Sequence, residues 1–163
     1  MNNEISKLLT EAKKSVSIAE TELLDDLKII LRKFEGNDDI HDYSFIVASA
    51  AKAYEGHLKY FFLKINLIDK RVFSSDRFRV GKALNPSLRY KRFSIYQKMS
   101  DMDSSGEELA EILWDAWKRG RNEIFHYFPD NLKKLTKDQA TERIKQILKA
   151  ILASSKFLQK NKY

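Results

Sequence analysis

The sequence predicts an all-α bundle of four main helices, near residues 4–34, 39–68, 106–128 and 137–158, with short helical pieces between 72 and 100. Apolar side chains recur at steps of three and four, the spacing that lines one face of a helix. Turn formers are scarce, with five Gly and two Pro in 163 residues, so few connections interrupt the chain. Helix-start signals precede the later runs. A hydrophobic fraction of 43% at this length suffices for a single domain, residues 1–163, with its own core.

In residues 4–34 the apolar positions are 5, 8, 12, 16, 19, 23, 27, 30 and 34. They repeat every eleven residues, which implies one nearly straight helix. At 1.5 Å per residue it extends on the order of 45 Å. Its N-terminal half either projects or packs on a second subunit, and Gly36-Asn37 stops it. Asp38 or Asp39 caps the next helix, which runs to Ile68. Its apolar residues occupy more than one face, so this is the expected central helix. Glu55 and His57 sit in its middle. Glu55 is either a partly exposed acid paired with Lys59 one turn on, or a functional group. His57 shares a face with Ala50, Tyr54 and Phe61, the place of a hydrogen-bonded core histidine.

Residues 69–103 are irregular, and a connection this long is often functional. Asn85 is placed to cap a short helix with Pro86 at its first position. Ser104-Ser105-Gly106-Glu107 then reads as a capping box. The helix it opens carries Leu109, Leu113, Ala116, Trp117, Gly120, Ile124 and Phe128 on one stripe, and Pro129 ends it at Phe128. Thr136-Lys137-Asp138-Gln139 is a second capping box. It opens the last helix, with Ala140, Ile144, Ile147, Leu148, Ile151, Leu152 and Leu158 inward.

Cysteine is absent, which excludes a disulfide framework and a thiolate metal site and suits the cytoplasm. No signal-peptide core opens the chain. The most apolar run, Tyr43 to Ile68, is interrupted by Lys52, Glu55, His57, Lys59 and Lys64, so no membrane span is expected. The formal charge is +7 and unevenly placed. From Lys64 to Lys98 ten basic residues stand against two acidic ones, a local charge of +8. Phe73, Phe78, Tyr90, Phe93 and Tyr96 are interleaved with them. That pattern fits either a nucleic-acid surface or a solvated basic loop. The candidate RNA contacts are Arg77, Arg79, Lys82, Arg89, Lys91 and Arg92.

Arg121-Asn122-Glu123-Ile124-Phe125-His126 is the stretch with chemistry in it. Arg holds a phosphate through a planar fork of donors. His takes or gives a proton near neutral pH. Together they can act on a phosphodiester without a metal. The bare spacing carries little weight in a chain with nine Arg and three His, and Arg119 also precedes His126 with six residues between them. On a continuous helix Arg121 lies at the edge of the core face, and Asn122 and His126 lie together on the polar side. His126 is then either solvated and idle or faces a cleft or second subunit. The neighbouring Phe125, Tyr127 and Phe128 favour the latter.

These residues resemble the HEPN superfamily, whose nuclease members carry Arg, four to six residues, then His, usually with a polar residue directly after the Arg. The helix with a central acid, Glu55, matches as well. More narrowly, the chain is similar to the C-terminal part of the RNase LS type of toxin, where a Glu on the earlier helix joins the Arg and His. The resemblance covers residues 38–158 and leaves out 1–35. It implies a HEPN-like antiparallel helical bundle and a metal-independent endoribonuclease, a toxin of a toxin–antitoxin or phage-defence system. His126 would move protons, Arg121 would hold the charge on phosphorus, and Glu55 and Asn122 would orient them. A homodimer pairing two motifs is implied, with a cognate antitoxin protein as a further partner. No cofactor or metal is expected. Phe128 stands where another HEPN toxin family has Tyr, which argues against a nucleotidyltransferase antitoxin. Two other functions fit the same sequence: a HEPN domain that binds RNA or nucleotide without cleaving, and a helical adaptor that binds protein through the first helix.

Overall fold

Residues 3–36 and 39–161 are described by the computed structural model. Among them the chain is helical, with no strand. The α-helices are α1 (Asn3–Lys13), α2 (Ile18–Lys33), α3 (Ala48–Lys64), α4 (Lys70–Phe73), α5 (Val80–Leu84), α6 (Ile95–Ser100), α7 (Ser104–Trp117) and α8 (Lys137–Lys160). None of the described helices is long and apolar enough to cross a membrane. As expected, α3 is central. It buries Ala50, Ala51, Ala53, Tyr54, His57, Leu58, Phe61 and Phe62 on more than one face. It packs against α2 on one side and α8 on another, and α8 also meets α1 and α7.

The single long first helix is not there. The chain turns at 14–17, and α1 folds back on α8, neither projecting nor awaiting a second subunit. Ile5, Leu9 and Ala12 are buried in that contact, and Glu4 pairs with Lys145 (2.9 Å) and Lys149 (3.2 Å). The break has a local cause. Two serines flank Val16, and serine favours caps over helix interiors. Ser17-Ile18-Ala19-Glu20 is a capping box, in which Ser17 N–H donates to Glu20 Oε2 at 2.9 Å. An ion pair between Lys13 and Asp25 ties the end of α1 to α2. The predicted stripe does not carry through the turn unchanged: Ala19 is exposed and Leu23 only half-buried, and the face of α2 that meets the core carries Glu20, Leu24 and Leu27.

The second helix also starts later than expected. Asp42, not Asp39, is the cap, and it opens a 3₁₀ turn over Tyr43–Val47 that leads into α3. Asp38 lies outside the described residues, as does Asn37 of the expected Gly36-Asn37 stop; Gly36 has the positive φ of +81° that such a stop requires. At the other end of α3, Asn66 takes φ +58° and Leu67 N–H donates to Phe62 O, closing the helix before Ile68. Asn85 caps a 3₁₀ turn at Pro86–Leu88, as its sequence implies. Asp103, one residue ahead of the predicted box, caps α7 by accepting from Gly106 N–H at 2.8 Å. Thr136 and Gln139 form the capping box of α8.

His57 is the core histidine that its position implies. The Ser154 hydroxyl donates to Ile151 O (2.9 Å), so its oxygen accepts from His57 Nε2–H (2.7 Å). Burial lowers the His57 pKa to about 4, which keeps the ring neutral.

Candidate functional site

The helix carrying the motif ends six residues before Phe128. After Trp117 the backbone widens into a π turn over Lys118–Asn122, and Glu123 N–H donates to Lys118 O at 2.9 Å. Gly120 is part of the cause. It lies against α8, where an added Cβ would meet the Ile147 side chain at 2.7 Å, so only a residue without a side chain fits this approach. The chain then bends at Phe125 and His126 and runs extended at Phe128, the conformation that Pro129 imposes on its predecessor. His126 is therefore off the helix. The helical azimuth that grouped it with Asn122 does not describe it.

Arg121 is the best-defined member of the motif. Its guanidinium lies 5.5 Å from the centroids of both the Trp117 and the Phe125 rings, one helical turn away on either side. Its Nε is 3.8 Å from Glu55 Oε2, an ion pair longer than a hydrogen bond. Both side chains are about one-third exposed, so the pair contributes little stability and leaves the arginine able to engage an anion. Glu55 thus pairs across the bundle with the motif arginine and not with Lys59.

Together these groups edge a surface depression of about 250 Å³. Ala48, Ala51, Lys52 and Glu55 form its α3 side, and Arg121 of the π turn and Phe125 of the bend after it form the other. The alanines keep the floor shallow, so an incoming group can reach both charges. Lys52 is a second cation in the depression, one turn before Glu55. The sequence carried a signal for it, since residues 48, 51, 52 and 55 share one helical face. Trp117 and Phe125 were missed as well, although both stand four residues from Arg121.

Asn122 and His126 are exposed, and neither lines the depression. Around them Phe125, Tyr127 and Leu132 are 48%, 79% and 78% exposed, an apolar surface beside the motif. The segment after the motif is anchored at a distance by Asp42. Its carboxylate accepts from Ser44 N–H (3.0 Å), Ser44 Oγ–H (2.6 Å), Leu135 N–H (3.1 Å) and Asn131 Nδ2–H (3.0 Å). Burial pushes the Asp42 pKa up, but these hydrogen bonds outweigh it and hold the carboxyl at about 2. Asp130 and Asn131 both take left-handed backbone angles, φ +58° and +50°, and the bond to Asp42 fixes the second of them.

The basic connection meets the site through α5. Gly81 lies so close to Trp117 that a Cβ there would come within 2.2 Å of the indole Nε1. The indole on which Arg121 rests is thus the one against which the basic segment packs. Arg77, Arg79, Lys82, Arg89, Lys91 and Arg92 are all exposed. No family model matches the chain, and no curated protein or solved structure matches it. Fold and site define the class: an all-α bundle with a basic surface segment abutting a depression that holds an arginine and a glutamate.

Proposed function

We propose that this chain is a metal-independent endoribonuclease of HEPN type, acting as a toxin in a toxin–antitoxin or phage-defence system. The observation that carries the reading is the approach of Arg121 to Glu55 across the bundle at 3.8 Å, beside an open depression and five residues from His126. In the proposed reaction the RNA's 2′-oxygen attacks the adjacent phosphorus. The new 2′-O–P bond forms as the P–O5′ bond breaks, leaving a 2′,3′-cyclic phosphate and a 5′-OH. His126 takes the 2′-OH proton or supplies the proton that the 5′-oxygen needs. Arg121 stabilises the extra negative charge on the phosphoryl oxygens. Glu55 holds Arg121 toward the depression, Lys52 adds a second positive charge, and Asn122 orients the motif.

Because His126 is exposed and outside the depression, the reading requires a second copy or the RNA itself to bring it to the scissile phosphate. The exposed apolar surface of Phe125, Tyr127 and Leu132 suits a homodimer interface there. The test is incubation of labelled RNA with the protein in EDTA, with analysis of the product ends. Cleavage to cyclic-phosphate ends that is lost in folded His126→Ala supports the reading; cleavage by that variant at the wild-type rate removes it.

One observation favours a second reading. Since His126 stands apart from Arg121 and Glu55, the same surface serves a HEPN-like domain that binds RNA without cutting it. Salt-steep RNA affinity with intact RNA in every condition would select it. The adaptor reading no longer has α1 as its free surface, because α1 packs on α8.

A further inference from the structure

The basic connection contains more than charge. Tyr90 is 73% exposed and Phe93 43% exposed, although each ring is large and apolar enough to favour burial. They stand three residues apart in consecutive tight turns, where Lys91 N–H donates to Leu88 O (2.9 Å) and Ser94 N–H to Lys91 O (2.8 Å). The turns are held from both ends. Asn85 caps the 3₁₀ turn before them, and buried Ser94 caps α6 after them by accepting from Gln97 N–H at 3.1 Å. Arg89 bridges the two ends through Nε to Gln97 Oε1 at 2.7 Å. The rings are therefore displayed by a braced scaffold.

Each ring has a cation over it. Lys91 Nζ is 4.7 Å from the Tyr90 centroid and Lys82 Nζ is 5.1 Å from that of Phe93. Arg92 is exposed between the two rings in sequence. Exposed aromatic rings capped by flexible lysines match a strand of nucleotides: a stacking base takes the lysine's place over the ring, and the displaced cation meets a phosphate. A base pair inside a duplex cannot use such a platform, because its faces are already stacked on neighbouring pairs.

We propose that Tyr90 and Phe93 form a base-stacking subsite for single-stranded RNA, distinct from the Arg121 depression. Lys82, Lys91 and Arg92 neutralise the phosphates of the nucleotides it holds. The proposal rests on the reading that RNA is the ligand, and it is independent of whether the chain cleaves.

The test is fluorescence-anisotropy binding of labelled oligo(U) and of a labelled RNA hairpin duplex to the full chain, over a range of salt. His126→Ala serves as background so that cleavage does not interfere. The single strand should bind more tightly than the duplex. Tyr90→Ala should weaken oligo(U) binding about 5- to 100-fold, the range for losing one base–aromatic stack. Its salt slope should stay unchanged, because no charge is lost. Tyr90→Trp should restore the affinity. Lys91→Gln with Arg92→Gln should flatten the slope instead. The thermal midpoint of Tyr90→Ala should match wild type, because the ring is mostly in solvent. Equal affinity for duplex and single strand, or unchanged binding in Tyr90→Ala, overturns the subsite and leaves the endoribonuclease reading standing. Stacking-dependent binding with no cleavage by the wild-type chain upholds the subsite and removes the catalytic reading. Absence of RNA binding removes both.

Discussion

Replacing Asp42 by Ala should loosen the segment that follows the motif, and the size of the effect can be worked from its contacts. The carboxylate accepts four hydrogen bonds, two from Ser44 at the start of the 3₁₀ turn and two from Asn131 and Leu135, about ninety residues further along. Losing the cap costs about 1 kcal/mol. Losing the long-range bonds to a half-buried charged acceptor adds a similar amount. The linkage route gives a comparable figure. A pKa of about 2 against an ordinary 3.8 corresponds to roughly 2 kcal/mol at neutral pH, with some loss to solvent screening. Because the folded pKa lies below the unfolded one, this contribution is complete above pH 3.8 and disappears as pH falls through 2. Asp42→Ala should therefore lower the thermal midpoint by roughly 4–8 °C at pH 7 for a chain of this size. The gap from wild type should narrow below pH 3. Circular dichroism melts at both pH values measure it, and amide exchange should show faster opening at Leu135. An unchanged midpoint at pH 7, or a gap that widens on acidification, would refute the role assigned to Asp42.

Other expectations follow from the site and the core. Burial depresses His57 from 6.5 to about 4, so the unfolded state takes up a proton first as pH falls between those values. Stability should drop by about 3 kcal/mol over that window in wild type and not in His57→Gln, as urea titrations at pH 7 and pH 4 will show. Arg121→Ala should abolish cleavage in single-turnover assays and weaken RNA binding, since the guanidinium would meet phosphate in ground and transition states alike. Glu55→Gln should cost less, and EDTA should leave the rate unchanged. Neutralising Arg89, Lys91 and Arg92 together should flatten the salt dependence of RNA affinity by about 2 in log–log slope, with little loss of stability. Light scattering should report a dimer that Tyr127→Glu with Leu132→Glu converts to monomer.

The parts of the fold legible in the sequence were those set by local chemistry. Thr136 and Gln139 opened α8 where their capping pattern placed them, and the many-sided apolar surface of α3 marked it as central. Periodicity failed at Ser15–Ser17, where a capping box lay within an apparently unbroken stripe and the buried face passes from the predicted Ala19 and Leu23 to Glu20 and Leu24. It failed again at Gly120, since the π turn depends on how closely α8 approaches, which no local pattern records. The candidate site divides in the same way. Glu55 and Arg121 are brought together, and His57 is in the core. The side of the chain on which His126 lies was inferred from a helix that had already ended. The part played by Trp117 was hidden because a buried tryptophan on a stripe looks like core, and it is core on one face while Arg121 uses another.

The π turn at Lys118–Asn122 is geometrically an α-helix with one residue added. Each helical residue is worth roughly 100° of rotation, so deleting one residue there would restore a regular helix and swing Arg121 away from Glu55 by about that angle. A substitution near the turn leaves that rotation in place, whereas a one-residue length change does not. The pairing of arginine with glutamate is thus guarded by chain length as much as by residue identity. Comparisons between chains of this kind should align the segment between Trp117 and Phe125 without gaps before asking which residues they share.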